Sequence, residues 1–130
     1  MTEVDKKLLL IDLCGRLPHG VKVDHFGTVK ELIGIMSDIA QVGYDINDYE
    51  DTAIEDIKPY LRPLSSMTEK EEKVYARICY CDAMYEQVNW LNAHHFDFRN
   101  LIKRGLAIEA PDGMYNLNKE QYGRRSIRIF

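Results

Sequence analysis

The hydrophobic period of this chain changes twice, and each change limits what it can fold into. From Thr2 to Cys14 the apolar residues recur at helical spacing. Val4, Leu8 and Ile11 fall on one face, and Leu9, Leu10 and Leu13 widen it. Thr2 is placed to cap this helix with Asp5 at the capping-box position. Gly15 and the run Pro18, His19, Gly20 are its expected stop. From Val21 the period becomes two. Val21 and Val23 alternate with Lys22 and Asp24, a turn at Gly27 follows, and strand patterns run over 29–35 and 39–46. Three such strands make a meander, which must curl or lean on a helix to bury one face.

The acidic stretch from Asn47 to Asp56 reads as a solvated loop, since like charges in a row face water. It lacks the Gly and the third ligand of a calcium loop. Residues 57–67 then form a stiff connector. Pro59 and Pro63 keep it extended, and it is expected to be a last strand or crossover that closes the sheet.

The helical period returns at Thr68, which opens a capping box with Glu71. Val74, Ile78, Cys81, Tyr85 and Val88 form one stripe of a helix expected to reach about Ala93, with a break near Asp82 to Met84. Asp97 is the expected N-cap of a further helix carrying Phe98, Leu101 and Ile102, and Gly105 is its stop. Residues 106–110 read as a strand. Asp112 and Gly113 read as a type I′ turn and 114–117 as the returning strand. The end from Asn118 is polar and then basic, with Ile127 and Ile129 alternating around Arg128. It reads as an edge strand or as a loose tail.

The fold class that follows is α+β: an N-terminal helix, a small curled antiparallel sheet with an SH3-like barrel as its closed form, two helices and a short C-terminal β-hairpin. Length allows one domain. Within it, 1–66 form the helix-and-sheet lobe, 67–117 a helical lobe with the hairpin, and 118–130 a basic tail, the lobes sharing one core.

Charge narrows the partners. Up to Phe96 there are 10 Lys and Arg against 17 Asp and Glu; from Asp97 there are 7 against 4. An acidic body repels a polyanion, so strong nucleic-acid binding is disfavoured, although the basic end keeps it in view. Three cysteines and an acidic start fit a cytoplasmic protein with reduced thiols, and no apolar run is long enough to span a membrane.

No reaction motif is present. Cys79 and Cys81 stand about 200° apart on a helix and cannot share one metal ion, so the cysteines read as small core residues. No metal and no cofactor is expected. His94 or His95 with Asp97 is the one acid–base pair the chain offers, and it would serve a small enzyme of unknown class. The leading expectation is a non-enzymatic module that binds a protein, or a second copy of itself, through Tyr60, Arg62, Trp90, His94, Arg99 and Arg104. The alternative takes 97–117 as the recognition helix and wing of a winged-helix-like, nucleic-acid-binding part. Arg99, Lys103, Arg104, Arg124, Arg125 and Arg128 would then touch phosphates.

Three segments carry a resemblance: Asp12 to Pro18, Ile57 to Thr68, and Trp90 to Arg99 with Leu106 to Pro111. Through them the chain, to about residue 116, resembles a family of small uncharacterised proteins from gut anaerobic bacteria, often found in phage or other mobile-element settings. The resemblance implies a cytoplasmic protein acting around phage or host nucleic acid or proteins. It carries no assigned activity and transfers no functional residue.

Overall fold

The computed structural model describes residues 1–81 and 83–115. Helix α1 (Glu3–Arg16) leads into the strands β1 (Lys22–His25), β2 (Thr28–Met36), β3 (Ile39–Asp45), β4 (Asp48–Ala53) and β5 (Ile57–Pro63). The helices α2 (Glu69–Cys81) and α3 (Met84–Ala93) follow, then two short strands, β6 (Phe96–Asp97) and β7 (Ile108–Glu109). The class is α+β, as the alternation of periods requires.

The sheet runs β4-β3-β2-β1-β5. All pairs in that run are antiparallel. The β1–β2 turn has positive φ at both Phe26 (52°) and Gly27 (87°), the type I′ geometry that matches strand twist. At Gly43 a Cβ would run into the backbone of Asp48 and Tyr49, so glycine lets β4 cross close over β3. β5 is the hub. It pairs antiparallel with β1 through Ile57–Pro59 and parallel with β7 and β6 through Tyr60–Pro63.

Side chains reveal the curl. In a flat sheet β1 and β4 would stand three strand spacings, about 14 Å, apart. His25 Nε2 of β1 nevertheless lies 3.1 Å from Thr52 Oγ1 of β4. The sheet therefore rolls, but β4 and β5 share no ladder and the expected barrel is not closed. The small sheet expected from sequence is antiparallel throughout that run. β6 and β7 make it mixed, because β5 continues past β1 and spends its outer half on parallel partners.

One core fills the roll. Leu9 and Leu13 of α1 meet Val21, Val23, Leu32, Ala40, Val42, Ile54, Ile57 and Leu61, with Leu101, Leu106 and Ala107 closing it. The apolar face read for α1 is corrected: Val4 and Ile11 are exposed, and the buried stripe is Leu9, Asp12, Leu13 and Arg16. That stripe keeps helical spacing but carries an ion pair, which a search for apolar residues passes over. Gly15 does not stop the helix. It sits inside it, where a Cβ would stand 2.8 Å from Asn92 Nδ2 of α3.

Other corrections follow the same physics. The acidic 48–53 segment is an edge strand, its side chains exposed as a loop's would be. Residues 97–104 form no α-helix. Asn100 adopts φ 65° and only a single turn follows. That turn ends as foreseen at Gly105 (φ 78°). The Leu106 amide bonds to Leu101 O and the Gly105 amide to Ile102 O, the paired bonds of a Schellman stop. The 110–114 turn has positive φ at Gly113 alone of its two central residues, so it is not type I′, and Met114 and Tyr115 are not strand. No hairpin forms there among the described residues, and the rest of the expected return strand lies outside them. Cys14 and Cys79 are exposed rather than core, since each lies on the outer side of its helix.

Candidate functional site

The segment from His94 to Arg99 is the polar centre of the molecule. His94, His95, Phe96 and Asp97 are buried and Phe98 and Arg99 half-buried. Two bidentate ion pairs converge on it. From α1, Arg16 donates through Nε to Asp12 Oδ2 (2.7 Å) and through Nη2 to Asp12 Oδ1 (3.0 Å). Its Nη2 also donates to Phe96 O (2.6 Å), and Arg99 Nη1 donates to Asp12 Oδ1 (2.7 Å). Asp12 is thus a fully buried carboxylate between two guanidiniums, one arrangement in which a buried charge is tolerated.

From the sheet, Arg62 donates through Nη1 and Nη2 to Glu71 of α2 (2.9 and 2.7 Å) and through Nη1 to His94 O (3.2 Å). Its guanidinium lies 4.1 Å from the centre of the Phe96 ring. Phe96 stacks on Trp90, which also stacks on Tyr75 and tilts against His94. Glu71 completes the capping box with Thr68 as well. Burial works against its ionisation, yet Arg62 and the Thr68 amide outweigh it and hold the carboxyl below its ordinary value.

His95 takes φ 65° and stacks on Tyr115 with 3.7 Å between ring centres. Burial, then the charge of Arg16, drives its imidazole down to about 3, so the ring is neutral. The Tyr115 hydroxyl donates to Tyr60 O (2.7 Å) and accepts from the Lys22 amide (2.9 Å), bridging β1 and β5 where their ladder ends. Among the described residues Arg16 Nη1, Asn92 Oδ1 and His95 Nδ1 are buried without a hydrogen bond. A cleft of about 130 Å³ lies beside this centre, lined by Arg62, Pro63, Glu109, Ala110, Asp112 and Tyr115.

The residues singled out from sequence fall into three groups. Arg62, Trp90, His94 and Arg99 come together in the ties just described, Arg62 and His94 buried and Trp90 and Arg99 half-buried. Tyr60 is half-buried, its hydroxyl pushed up by burial and by the Asp24 carboxylate. Lys103 and Arg104 are exposed, Arg104 reaching Asp5 at 3.5 Å. Arg124, Arg125 and Arg128 lie outside the described residues. Both rings of the His94/His95 pair are buried, and the Asp97 carboxylate accepts from the Leu101 and Ile102 amides (2.8 and 3.0 Å).

A second cluster was not foreseen. Thr52 Oγ1, His25 Nε2, His25 Nδ1 and Glu50 Oε1 follow one another at 3.1 and 3.2 Å, the order of a hydroxyl, base and carboxylate triad. Lys30 Nζ, however, lies 3.1 Å from His25 Nδ1 and 3.2 Å from Glu50, and Thr52 and Glu50 belong to the strand that the curl brings over β1. The cluster ties β4 to β1 and β2. No group of ligand side chains among the described residues could hold a metal ion, and no described helix is long and apolar enough to cross a membrane. No family model, curated protein or solved structure matches the chain.

Proposed function

We propose that the chain is a non-enzymatic module that binds a protein partner through the outer face of the α2–α3 pair. One observation carries this reading. Tyr80, Met84 and Tyr85, within six residues of one another at the junction of the two helices, are 91%, 75% and 66% exposed. Val74, Ile78 and Val88, of the stripe that holds Tyr85, are only half-buried. Adjacent Tyr and Met side chains in water are the composition of a contact surface. The SH3-like reading of the strand lobe is part of the proposal and rests on the order β4-β3-β2-β1-β5 with a 3-10 turn between β4 and β5. The setting around a phage or mobile element rests on the sequence resemblance, and the cytoplasmic one on free Cys14 and Cys79 as well.

The test is affinity capture from a bacterial lysate, with and without nuclease, by the wild-type chain and by the triple variant Tyr80→Ser, Met84→Ser, Tyr85→Ser. A protein retained after nuclease by the wild type, or self-association by light scattering, and lost in the variant is the expected result. Recovery of nucleic acid alone, or capture indifferent to the variant, overturns the proposal.

A further inference from the structure

Two hairpin turns lie at one end of the sheet. β1 and β2 turn at Phe26 and Gly27, and β3 and β4 turn at Ile46 and Asn47. Because antiparallel neighbours reverse direction, both turns stand beside the start of β2. Phe26 is 74% exposed, Ile46 68% and Tyr44 62%, and Val29 and Tyr49 next to them are exposed as well. One exposed apolar side chain is ordinary, but five on two neighbouring hairpin ends have the character of a contact surface.

Phe26 is there against its local preference. Its φ of 52° belongs to the first position of a type I′ turn, which favours Asn, Asp or Gly. A bulky aromatic in that region is strained. The ring leans on His25, with 4.6 Å between centres, and it is not among the residues that fill the core. The strain therefore holds a large apolar ring in water, and such a residue is a candidate for recognition rather than for packing.

Charge decides what can cover this end. Residues 44–51 hold Asp45, Asp48, Glu50 and Asp51 and no Lys or Arg. Lys30 of β2 is tied to Glu50 at 3.2 Å. Asp45, Asp48 and Asp51 are exposed and form no ion pair among the described residues. A second copy of this end would set carboxylates against carboxylates. Nucleic acid or an anionic bilayer would meet the same repulsion. The occupant that matches both features is a protein segment that is apolar and cationic.

We propose that the two turns form a docking surface for such a segment. Its apolar side chains lie against Phe26, Ile46 and Tyr44, and its Lys or Arg side chains face Asp45, Asp48 and Asp51. Apolar contact supplies the affinity, and the carboxylates supply selectivity and salt dependence. This surface shares no residue with the outer face of α2 and α3 and stands independently of it.

The test selects a phage-displayed library of random linear peptides on the immobilised full chain. Enriched peptides are expected to carry Lys or Arg together with large apolar residues. A synthetic copy of the most enriched one should bind several-fold more weakly at high salt than at low salt. Phe26→Asn should weaken that binding by about tenfold or more. The same substitution should raise the melting temperature by a few degrees, since Asn suits the turn. Asp45→Lys with Asp48→Lys should weaken binding to a similar extent, and the Tyr80, Met84 and Tyr85 triple variant should bind as the wild type does. No enrichment, enrichment of neutral or acidic peptides, or binding indifferent to Phe26→Asn or to the charge reversal overturns the proposal. Loss of binding in the triple variant, or a lower melting temperature for Phe26→Asn, overturns it as well.

Discussion

Helices α1 and α2 start with the same device and end in different situations. Thr2 Oγ1 accepts the Asp5 amide at 3.0 Å, and Thr68 Oγ1 accepts the Glu71 amide at 3.1 Å. From there α1 buries Leu9, Leu13, Asp12 and Arg16, whereas Glu71 is the one buried residue of α2 among its described side chains. α1 is held by apolar contact together with its ion pair. α2 is held at its first turn by Arg62 and further along by the stack of Tyr75 on Trp90. A good cap and a clean stripe thus establish that a helix forms, but not how deeply it packs. Depth depends on whether a sheet face is available, and α1 already occupies it.

Four perturbations can break or sharpen this contrast. The largest effect is expected on the α1 side in acid. His95 protonates near 3 when folded, against an ordinary 6.5 when unfolded. Its contribution is complete above pH 6.5 and is lost as pH falls toward 3, by up to about 5 kcal/mol at 1.36 kcal/mol per pKa unit. Urea midpoints followed with pH should show this loss, and His95→Asn, whose side chain suits positive φ, should flatten the curve between those limits. A curve unaltered by His95→Asn would mean that the ring is not the source.

Asp12→Ala comes next. It leaves Arg16 buried and Arg99 half-buried without their carboxylate, and breaking a buried pair costs about 3–5 kcal/mol. The whole domain should lose that much in urea denaturation. A loss under about 1 kcal/mol would make α1 a purely apolar attachment.

Glu71→Gln should cost less, about 2 kcal/mol, since it weakens charged hydrogen bonds without removing the side chain. Its signature is local. Amides of α2 should exchange faster with solvent while those of α1 keep their protection. Because the folded carboxyl sits below its ordinary 4.5, the tie is complete above that value and fails as pH falls through the folded one. Equal acceleration in both helices would erase the contrast drawn between them.

The smallest effect is Gly15→Ala. Helix propensity favours alanine by about 1 kcal/mol, but its Cβ would press on Asn92 Nδ2 at 2.8 Å, and overpacking costs about 1–3 kcal/mol. A net loss near 1 kcal/mol is expected, reversing to a gain in an Asn92→Ala background. A gain in the wild-type background would show that α3 yields where it meets α1.

Legibility of the fold followed the range of the interactions. The β1–β2–β3 meander, both Thr caps, the break between α2 and α3 and the stop at Gly105 are local devices, and all were readable. The expected 97–104 helix misled because Asp97 does hold free amides, but those of a single turn: its carboxylate takes the Leu101 and Ile102 amides. Ties to Arg16 and Arg62 then hold the preceding backbone extended, and one turn is what remains. At the site, the density of residues at 90–99 was legible but its role was not. Arg62 looked like a surface cation, since Glu71 lies nine residues away on a different element. Asp12 and Arg16, spaced i, i+4 on an apolar helix, carried a signal that could have been used. Tyr115 carried none, because nothing local links it to His95 or Tyr60.

The sequence by itself determined where α1, β1, β2, β3 and α2 begin, which turns take glycine, and that one helix precedes a small sheet with helical structure after it. Those are consequences of backbone sterics and hydrophobic period, acting within a few residues. Only the tertiary structure decided that the sheet rolls without closing, that two arginines are interior ties, and that the stripe of α2 is no more than half-buried. Each of those depends on which distant groups compete for one buried volume, and that competition has no counterpart in local spacing.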